Sequence, residues 1–375
     1  MKLSILKDEL QAGLNAITRI TSKSITLPIL NNILIVCEKN FLKLASTDLE
    51  IGIKYWILAK TEKEGAITVP AKFFANLINL IPDQKIDLEE KNNILYIETK
   101  NYKSQIKGIS ADDFPIIPQI KSNKILEIKA KTLSEGLSQI IDTASPSQTR
   151  PEISGISFSV SKNIVEMAAT DSFRLAEKKI ILAKESSIPE TSVILLQKAA
   201  REIINIFGED AKRIKIYFSP NQVMFESEMN EVKHPHIQLI SRLIEGEYPN
   251  YKEIIPSSFK TQIVLSRQDF LNQIKTASLF SGKINEIKIK VNPEQEIVEV
   301  HAQNPDLGQN KSRIKAKVKG QKAEVCFNHR FLTAGLSNIK TKEVIFGLNG
   351  EEDPAVLKPL DDESFIYVVM PIKSS

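Results

Sequence analysis

The chain repeats itself three times, and this limits what it can fold into more than any other feature. The pair Thr47-Asp48, in LASTDLE, returns as Thr170-Asp171 in MAATDSFRLA, with a weaker third copy at Gln303-Asn304 in VHAQN. A helical pattern returns with it. Phe74, Leu77, Ile78 and Ile81 correspond to Ala200, Ile203, Ile204 and Phe207, and then to Leu332, Gly335, Leu336 and Ile339. Spacing of i, i+3, i+4, i+7 puts each set on one face of a helix. Pro70 stands just ahead of the first copy, where a helix tolerates it. Another apolar stripe opens each unit: Leu10, Leu14 and Ile17; Leu133, Leu137 and Ile140; Phe270, Ile274 and Ala277. Thr132-x-x-Glu135 and Ser266-x-x-Asp269 have capping-box spacing, which predicts the starts of the second and third of these helices. A period of this length means one supersecondary unit built three times.

Between the two helices of each unit the pattern predicts a strand pair. Ile156, Phe158 and Val160 alternate with serines, and Ile287, Ile289 and Val291 alternate with lysines. Period two means one buried face and one wet face. Further strands are expected at 41–45, 164–168 and 297–301, with turns at Ser161-Lys162-Asn163 and Pro293-Glu294-Gln295. The expected fold class is α+β, three tandem repeats of helix, strands, helix, strands. Asp113-Phe114-Pro115 and Glu247-Tyr248-Pro249 close the first two units, and the connectors at Pro118 and Pro256 suit extended linkers. Domains are therefore expected at 1–124, 125–256 and 257–375, an ordinary domain size each.

Fifty Lys+Arg against 46 Asp+Glu leave a formal charge of +4, too small a bias to announce nucleic acid by itself. Placement says more. Lys72, Lys198 and Arg330 fall at one equivalent helix position in all three units. Lys23, Arg150, Arg201 and Lys275 are further basic candidates at helix ends or polar faces, although ordinary surface charge explains each of these equally well. Such a set suits sequence-blind contact with phosphates. No helix-turn-helix, zinc finger or stacking platform is present to read bases. The two cysteines, Cys37 and Cys326, sit in apolar runs and read as buried reduced thiols. The start MKLSILKDEL lacks a signal-peptide pattern, and no apolar run has membrane length. A cytoplasmic protein without membrane contact is expected.

Signals for catalysis are poor. His234-Pro235-His236 could set two imidazoles on one strand face, but further ligands at usual spacing are missing, and metal sites usually need three or more. Asp48 and Asp171 sit in separate units, whereas paired catalytic carboxylates must be close together. Capping the turn after a strand explains them better. Neither a phosphate-cradling glycine loop nor a nucleophile elbow occurs. No catalytic residue, metal or cofactor is expected. The residues alone still leave open an enzyme with its site at a domain junction, or a tandem-repeat protein-binding module with no nucleic-acid role.

The segments TLPILNNIL (26–34), TDLEIGI (47–53), VPAKFF (69–74), ATDSFRLA (169–176), EYPNYKEIIP (247–256) and YVVMPIK (367–373), in this order on a triplicated chain, carry a resemblance. Over its whole length the chain resembles the β subunit of bacterial DNA polymerase III, the sliding-clamp family. The resemblance implies a head-to-tail homodimer closed around double-stranded DNA, helices lining the ring and sheets outside. It implies a non-enzymatic processivity factor that tethers the DNA polymerase III catalytic subunit, the clamp loader, and other polymerases and repair proteins through short linear motifs. Carried over, the peptide-binding cleft takes Ile153, Thr170, Ser172, Arg174, Leu175, Pro249, Ile254, Asn328, Phe331, Val368, Met370, Pro371 and Ile372. Its apolar members, methionine among them, suit varied ligands, and Arg174 and Thr170 are placed to orient a peptide backbone. The dimer interface takes the strand at Ile106 and, against it, Leu279 and Phe280. The chain departs from the family at Phe173, where histidine is common, at Glu253 and Ser24, where basic residues are frequent, and in the extra tail residues Ser374 and Ser375.

Overall fold

The computed structural model describes residues 1–21, 27–147, 149–183, 188–208 and 212–373. Lys23, Ser24, Thr26, Ser374 and Ser375 lie outside the described residues. In the first repeat the strand Lys2–Leu6 runs into α1 (Lys7–Ile17). The strands Asn32–Glu38, Phe41–Thr47, Ile51–Leu58 and Gly65–Pro70 follow, then α2 (Ala71–Leu80) and a meander of Lys85–Lys91, Ile94–Glu98 and Lys103–Lys107. The second repeat has Ile125–Lys129, α3 (Ala130–Ile140) and a single turn, α4 (Pro151–Ser154). After these come Gly155–Ser161, Ile164–Thr170, Arg174–Ile181 and Thr191–Leu196, then α5 (Gln197–Phe207) and the meander Arg213–Phe218, Gln222–Glu228 and Pro235–Ile244. The third has Thr261–Ser266, α6 (Arg267–Ser278), then Glu286–Asn292, Ile297–Asn304, Gly308–Lys315 and Ala323–Asn328. It ends with α7 (His329–Asn338) and the meander Glu343–Leu348, Ala355–Pro359 and Phe365–Val369.

The apolar stripes are why the helices form where they do. Leu10, Leu14 and Ile17, Leu133, Leu137 and Ile140, and Phe270, Ile274 and Ala277 are all buried. So are Phe74, Ile78, Ile203, Phe207, Leu332 and Leu336, while Leu77 and Ile204 are only half-buried. Ser266 caps α6 as expected, accepting from the Asp269 amide at 3.3 Å. Thr132 does not cap α3, because that helix starts two residues earlier, at Ala130. The free Ala130 amide is met instead by the Lys212 carbonyl at 2.9 Å. The same device opens α1 and α6, where Lys7 N donates to Gln84 O at 2.8 Å and Arg267 N to Lys342 O at 2.9 Å. Backbone carbonyls arriving from the loop after the second helix satisfy these first-turn donors without any side chain.

The expected strand pair between helices is part of a larger layer. The strands that the alternation missed lack a period to read: Ile51–Leu58 is buried at nearly every position, and Gly308–Lys315 at almost none. Contacts divide the chain into two compact units, Met1–Lys131 with Glu202–Leu243, and Thr132–Arg201 with Ile244–Ser375. In the first, Ile51–Leu58 of the first repeat pairs antiparallel with Pro235–Ile244 of the second, Ile53 opposite Leu239. In the other, Arg174–Ile181 of the second repeat pairs antiparallel with Phe365–Val369 of the third, Leu175 opposite Val368. Each joins the third strand of one repeat's layer to the last strand of the next repeat's meander. Two strands holding these same places have no such partner among the described residues. Lys103–Lys107 ends one sheet, and Gly308–Lys315 ends another.

Helices repeat the rule. Within the first unit Arg19, just after α1, pairs with Glu202 on α5 at 2.9 Å. Within the other, Gln139 on α3 and Asn338 on α7 exchange side-chain-to-carbonyl bonds of 2.8 and 2.7 Å. No described helix is long and apolar enough to cross a membrane.

Candidate functional site

The site begins with a turn built twice from the same residues. After the strand Ile164–Thr170, the Asp171 Oδ1 accepts from the amides of Phe173 and Arg174, both at 3.0 Å. Thr170 Oγ1 donates to Arg174 O at 2.8 Å and accepts from Ser172 N at 3.1 Å. In the first repeat Asp48 Oδ1 accepts from Glu50 and Ile51, and Thr47 Oγ1 bonds Ile51 O and Leu49 N. The turns force Ser172 to φ 77° and Leu49 to φ 76°. Side-chain oxygens that mimic a backbone turn explain why Thr-Asp recurs. The Thr170 hydroxyl proton is used within its own turn.

What distinguishes the second turn is its surroundings. Arg174 Nε bonds Asp171 Oδ2 at 2.9 Å, its Nη2 reaches Asp142 O at 2.8 Å, and its guanidinium lies 4.9 Å from the Phe331 ring centroid. The exposed Phe173 ring is stacked with Phe331, centroids 6.5 Å apart. The Phe331 ring thus lies between a cation and a second aromatic ring, and an arginine held at two points is stiff. Beneath them Leu175, Val368, Val356, Ala168 and Tyr251 form one buried cluster, with Tyr248, Ile255 and Phe259 packed on it. The tail closes the arrangement. Met370 N donates to Phe173 O, and Ile372 N to Cys326 O, both at 2.9 Å. Residues 370–372 are thus pinned to the turn at Phe173 and to the strand Ala323–Asn328.

The structure therefore brings Arg174, Leu175, Phe331, Val368, Met370 and Ile372 together. Ser172 joins them through Arg150 Nη1 at 3.3 Å. Asn328 sits at the same edge but spends its Oδ1 capping α7, on the Arg330 amide at 3.0 Å. Ile153 is buried on α4, packed toward the strand that leads into the turn. Pro249 and half-exposed Ile254 lie on the connector, with Pro249 O taking the Tyr251 amide at 2.7 Å. Sequence reading missed Tyr248, Tyr251 and Tyr367 as supports. Their signal was the aromatic pair flanking Pro249 in EYPNYKEIIP and the tyrosine of the tail motif.

The basic set keeps its register. Lys72, Lys198 and Arg330 are the second residues of α2, α5 and α7, and all are exposed. None of these helices has an acidic residue in its first turn. A cation there opposes the helix dipole, so each is placed against a small local cost. Lys275 is exposed on α6. Arg201 is engaged by Asp142 at 2.8 Å, and Arg150 by Glu152 at 3.3 Å as well as by Ser172, which sets Arg150 beside the turn rather than with the helix set.

At the expected interface, Leu279 is 71% exposed and Phe280 half-buried, but the Ile106 side chain is 4% exposed. Ile106 points into its own repeat's core, so the strand Lys103–Lys107 offers an edge of backbone there rather than that side chain. Phe73 and Leu80 on α2, 60% and 81% exposed, were not anticipated. Cys37 is buried; Cys326 is only half-buried, a departure from the expectation, and its thiol is pushed up to about 11, first by burial and then by Glu286. His234 stacks on Phe41 at 4.1 Å and His236 stands edge-on to Tyr55 at 4.6 Å. Among the described residues no three His, Cys, Asp or Glu side chains group as metal ligands.

Three family models match in order: the N-terminal domain of the DNA polymerase III beta subunit over residues 1–118, its central domain over 127–250 and its C-terminal domain over 252–373. The chain belongs to the DNA polymerase III beta subunit family, the sliding clamps. The beta sliding clamp of Synechococcus elongatus is 30% identical, covering 100% of this chain and 99% of that protein. That of Staphylococcus epidermidis is 29% identical with 100% of both covered. The crystal structure of the Bacillus subtilis DNA polymerase sliding clamp superposes with a TM-score of 0.94 at 25% identity, over 100% of both chains. The beta subunit of Streptococcus pyogenes DNA polymerase gives 0.93 at 26%. The fold is the clamp fold, and the function is that of a DNA sliding clamp in replication.

Proposed function

We propose that two copies of this chain close head-to-tail into a ring around duplex DNA. Unbroken contact with no particular sequence then holds the replicative polymerase on its template. One observation carries this reading: every repeat-to-repeat join uses the same two halves, and one of each half is left over. The strand Gly308–Lys315 holds the place of Ile51–Leu58 and Arg174–Ile181. Lys103–Lys107 holds the place of Pro235–Ile244 and Phe365–Val369. On the helix side, α6 with exposed Leu279 stands where α1 and α3 meet a neighbour, and α2 with exposed Phe73 and Leu80 stands where α5 and α7 do. A second copy, turned head to tail, supplies each missing half. Open sheet edges and bare apolar helix faces favour such closure.

In this reading the domains are 1–124, 125–256 and 257–375. The in-register Lys72, Lys198 and Arg330, with Arg201 and Lys275, face phosphates, and the Arg174–Leu175–Val368–Met370 cleft receives short linear motifs. Its ligands are the DNA polymerase III catalytic subunit, the clamp loader, and other polymerases and repair proteins. The protein works in the cytoplasm by topology, without catalysis or a cofactor. Sedimentation of Leu279→Asp and of Phe73→Asp tests the closure. Each is expected to yield folded monomers where the parent is a dimer, and a stable dimer in either variant contradicts it.

A further inference from the structure

The cleft wall bearing Ile254 is the short turn Tyr251–Ile254, inside the stretch 245–260 that links the strands Pro235–Ile244 and Thr261–Ser266. No strand pairing holds this stretch among the described residues, so side chains must. Tyr251 is sunk in the cluster under the cleft. Beside it, Lys252 Nζ lies 2.6 Å from Glu166 Oε2 on the strand Ile164–Thr170. The other Glu166 oxygen takes Lys179 at 3.4 Å, and Lys179 also reaches Glu177 Oε1 at 3.3 Å. Glu177 is 3% exposed, and its second oxygen has no hydrogen-bond partner among the described residues.

These four charges form one chain, Glu177–Lys179–Glu166–Lys252, and they balance two against two. A buried carboxylate needs its counter-ion, and here that counter-ion, Lys179, is shared with a second carboxylate. Lys252 is what restores neutrality. Without it, two carboxylates share the single lysine Lys179. Burial works to raise the Glu166 carboxyl, but Lys252 and Lys179 outweigh it and hold the group below the usual carboxylate range. The lysine that completes the balance is two residues from Ile254.

We propose that the ion-pair chain from Glu177 to Lys252 positions the Ile254 wall of the cleft, with Glu166 and Lys252 acting as positioning residues that touch no ligand. The inference rests on the cleft reading above. Lone exposed ion pairs are worth at most about 1 kcal/mol, so the effect to look for is about fivefold in affinity, not abolition.

The test uses the full-length protein and, as probe, the purified DNA polymerase III catalytic subunit of the same organism, with affinity read by surface plasmon resonance. Lys252→Met is expected to bind about fivefold more weakly at low salt, chiefly through faster dissociation. Lys252→Arg retains affinity. Glu166→Gln is expected to lose affinity to a similar extent, and Glu166→Gln combined with Lys252→Met no more than either alone. In molar salt the parent falls to the level of Lys252→Met. Hydrogen exchange at residues 251–255 quickens in Lys252→Met. Parent-like affinity and exchange in Lys252→Met overturn the inference. So does a double variant whose losses add, since Lys252 would then act by direct contact. The cleft reading fails separately: a parent that does not bind the polymerase, or an Ile254→Asp variant that binds unchanged, removes both.

Discussion

At the scale of single residues, the recurring Thr-Asp pair shows how one local solution is used twice with different consequences. Asp48 and Asp171 each accept two backbone amides, and each turn holds a non-glycine residue at positive φ. Losing the carboxylate strands those donors at a cost of about 1–3 kcal/mol. Asp48→Ala and Asp171→Ala are therefore expected to destabilise by similar amounts in urea unfolding. Only Asp171→Ala should weaken polymerase binding, because only Asp171 also holds Arg174 at 2.9 Å against the Phe331 ring. Equal loss of binding in both variants contradicts this division. The capping role was legible from Thr-Asp standing after a strand. The stack of Phe173, Phe331 and Arg174 was not, since nothing in local spacing brings residue 331 to residue 173.

At the scale of elements, amphipathic helices were the most legible part. Their period is set by burial against a sheet, and all nine first-helix positions read from it are buried. Capping was less so. Ser266 behaves as its spacing says, but Thr132 is overruled by a carbonyl from a distant loop, which no local rule can anticipate. Gly335 shows what helix-to-sheet contact demands. A Cβ there would lie 2.5 Å from the Tyr367 ring, on the strand that carries Val368. Gly335→Leu should lift α7 from that strand, cost about 1–3 kcal/mol and lower polymerase affinity in parallel. A leucine at exposed Asn76 on α2 should do neither. An unchanged melting temperature in Gly335→Leu sinks the claim that this contact seats the cleft strand.

At the scale of the whole molecule, triplication gave the fold class directly, because three like units need like layers. The cleft residues gather at a join between repeats, and a repeat pattern does not show which strands meet. The cleft positions were reached through resemblance to a family, and the geometry then supplied the pairing of Leu175 with Val368 that holds them together. The basic set is different, since Lys72, Lys198 and Arg330 could be read from the alignment of the repeats alone. Neutralising all three to alanine should leave the dimer intact while weakening binding to linear duplex and flattening its dependence on salt by roughly 0.9 per lost phosphate contact. An unaltered salt slope excludes them from the DNA surface.

The account turns on topology, so its most direct test is retention. The protein, placed on nicked circular duplex by its clamp loader, is followed by gel filtration before and after a single restriction cut. A closed ring predicts long residence on the circle at high salt and rapid loss on cutting. Equal loss from circle and linear DNA, governed by salt alone, would mean ordinary electrostatic binding and would contradict the ring.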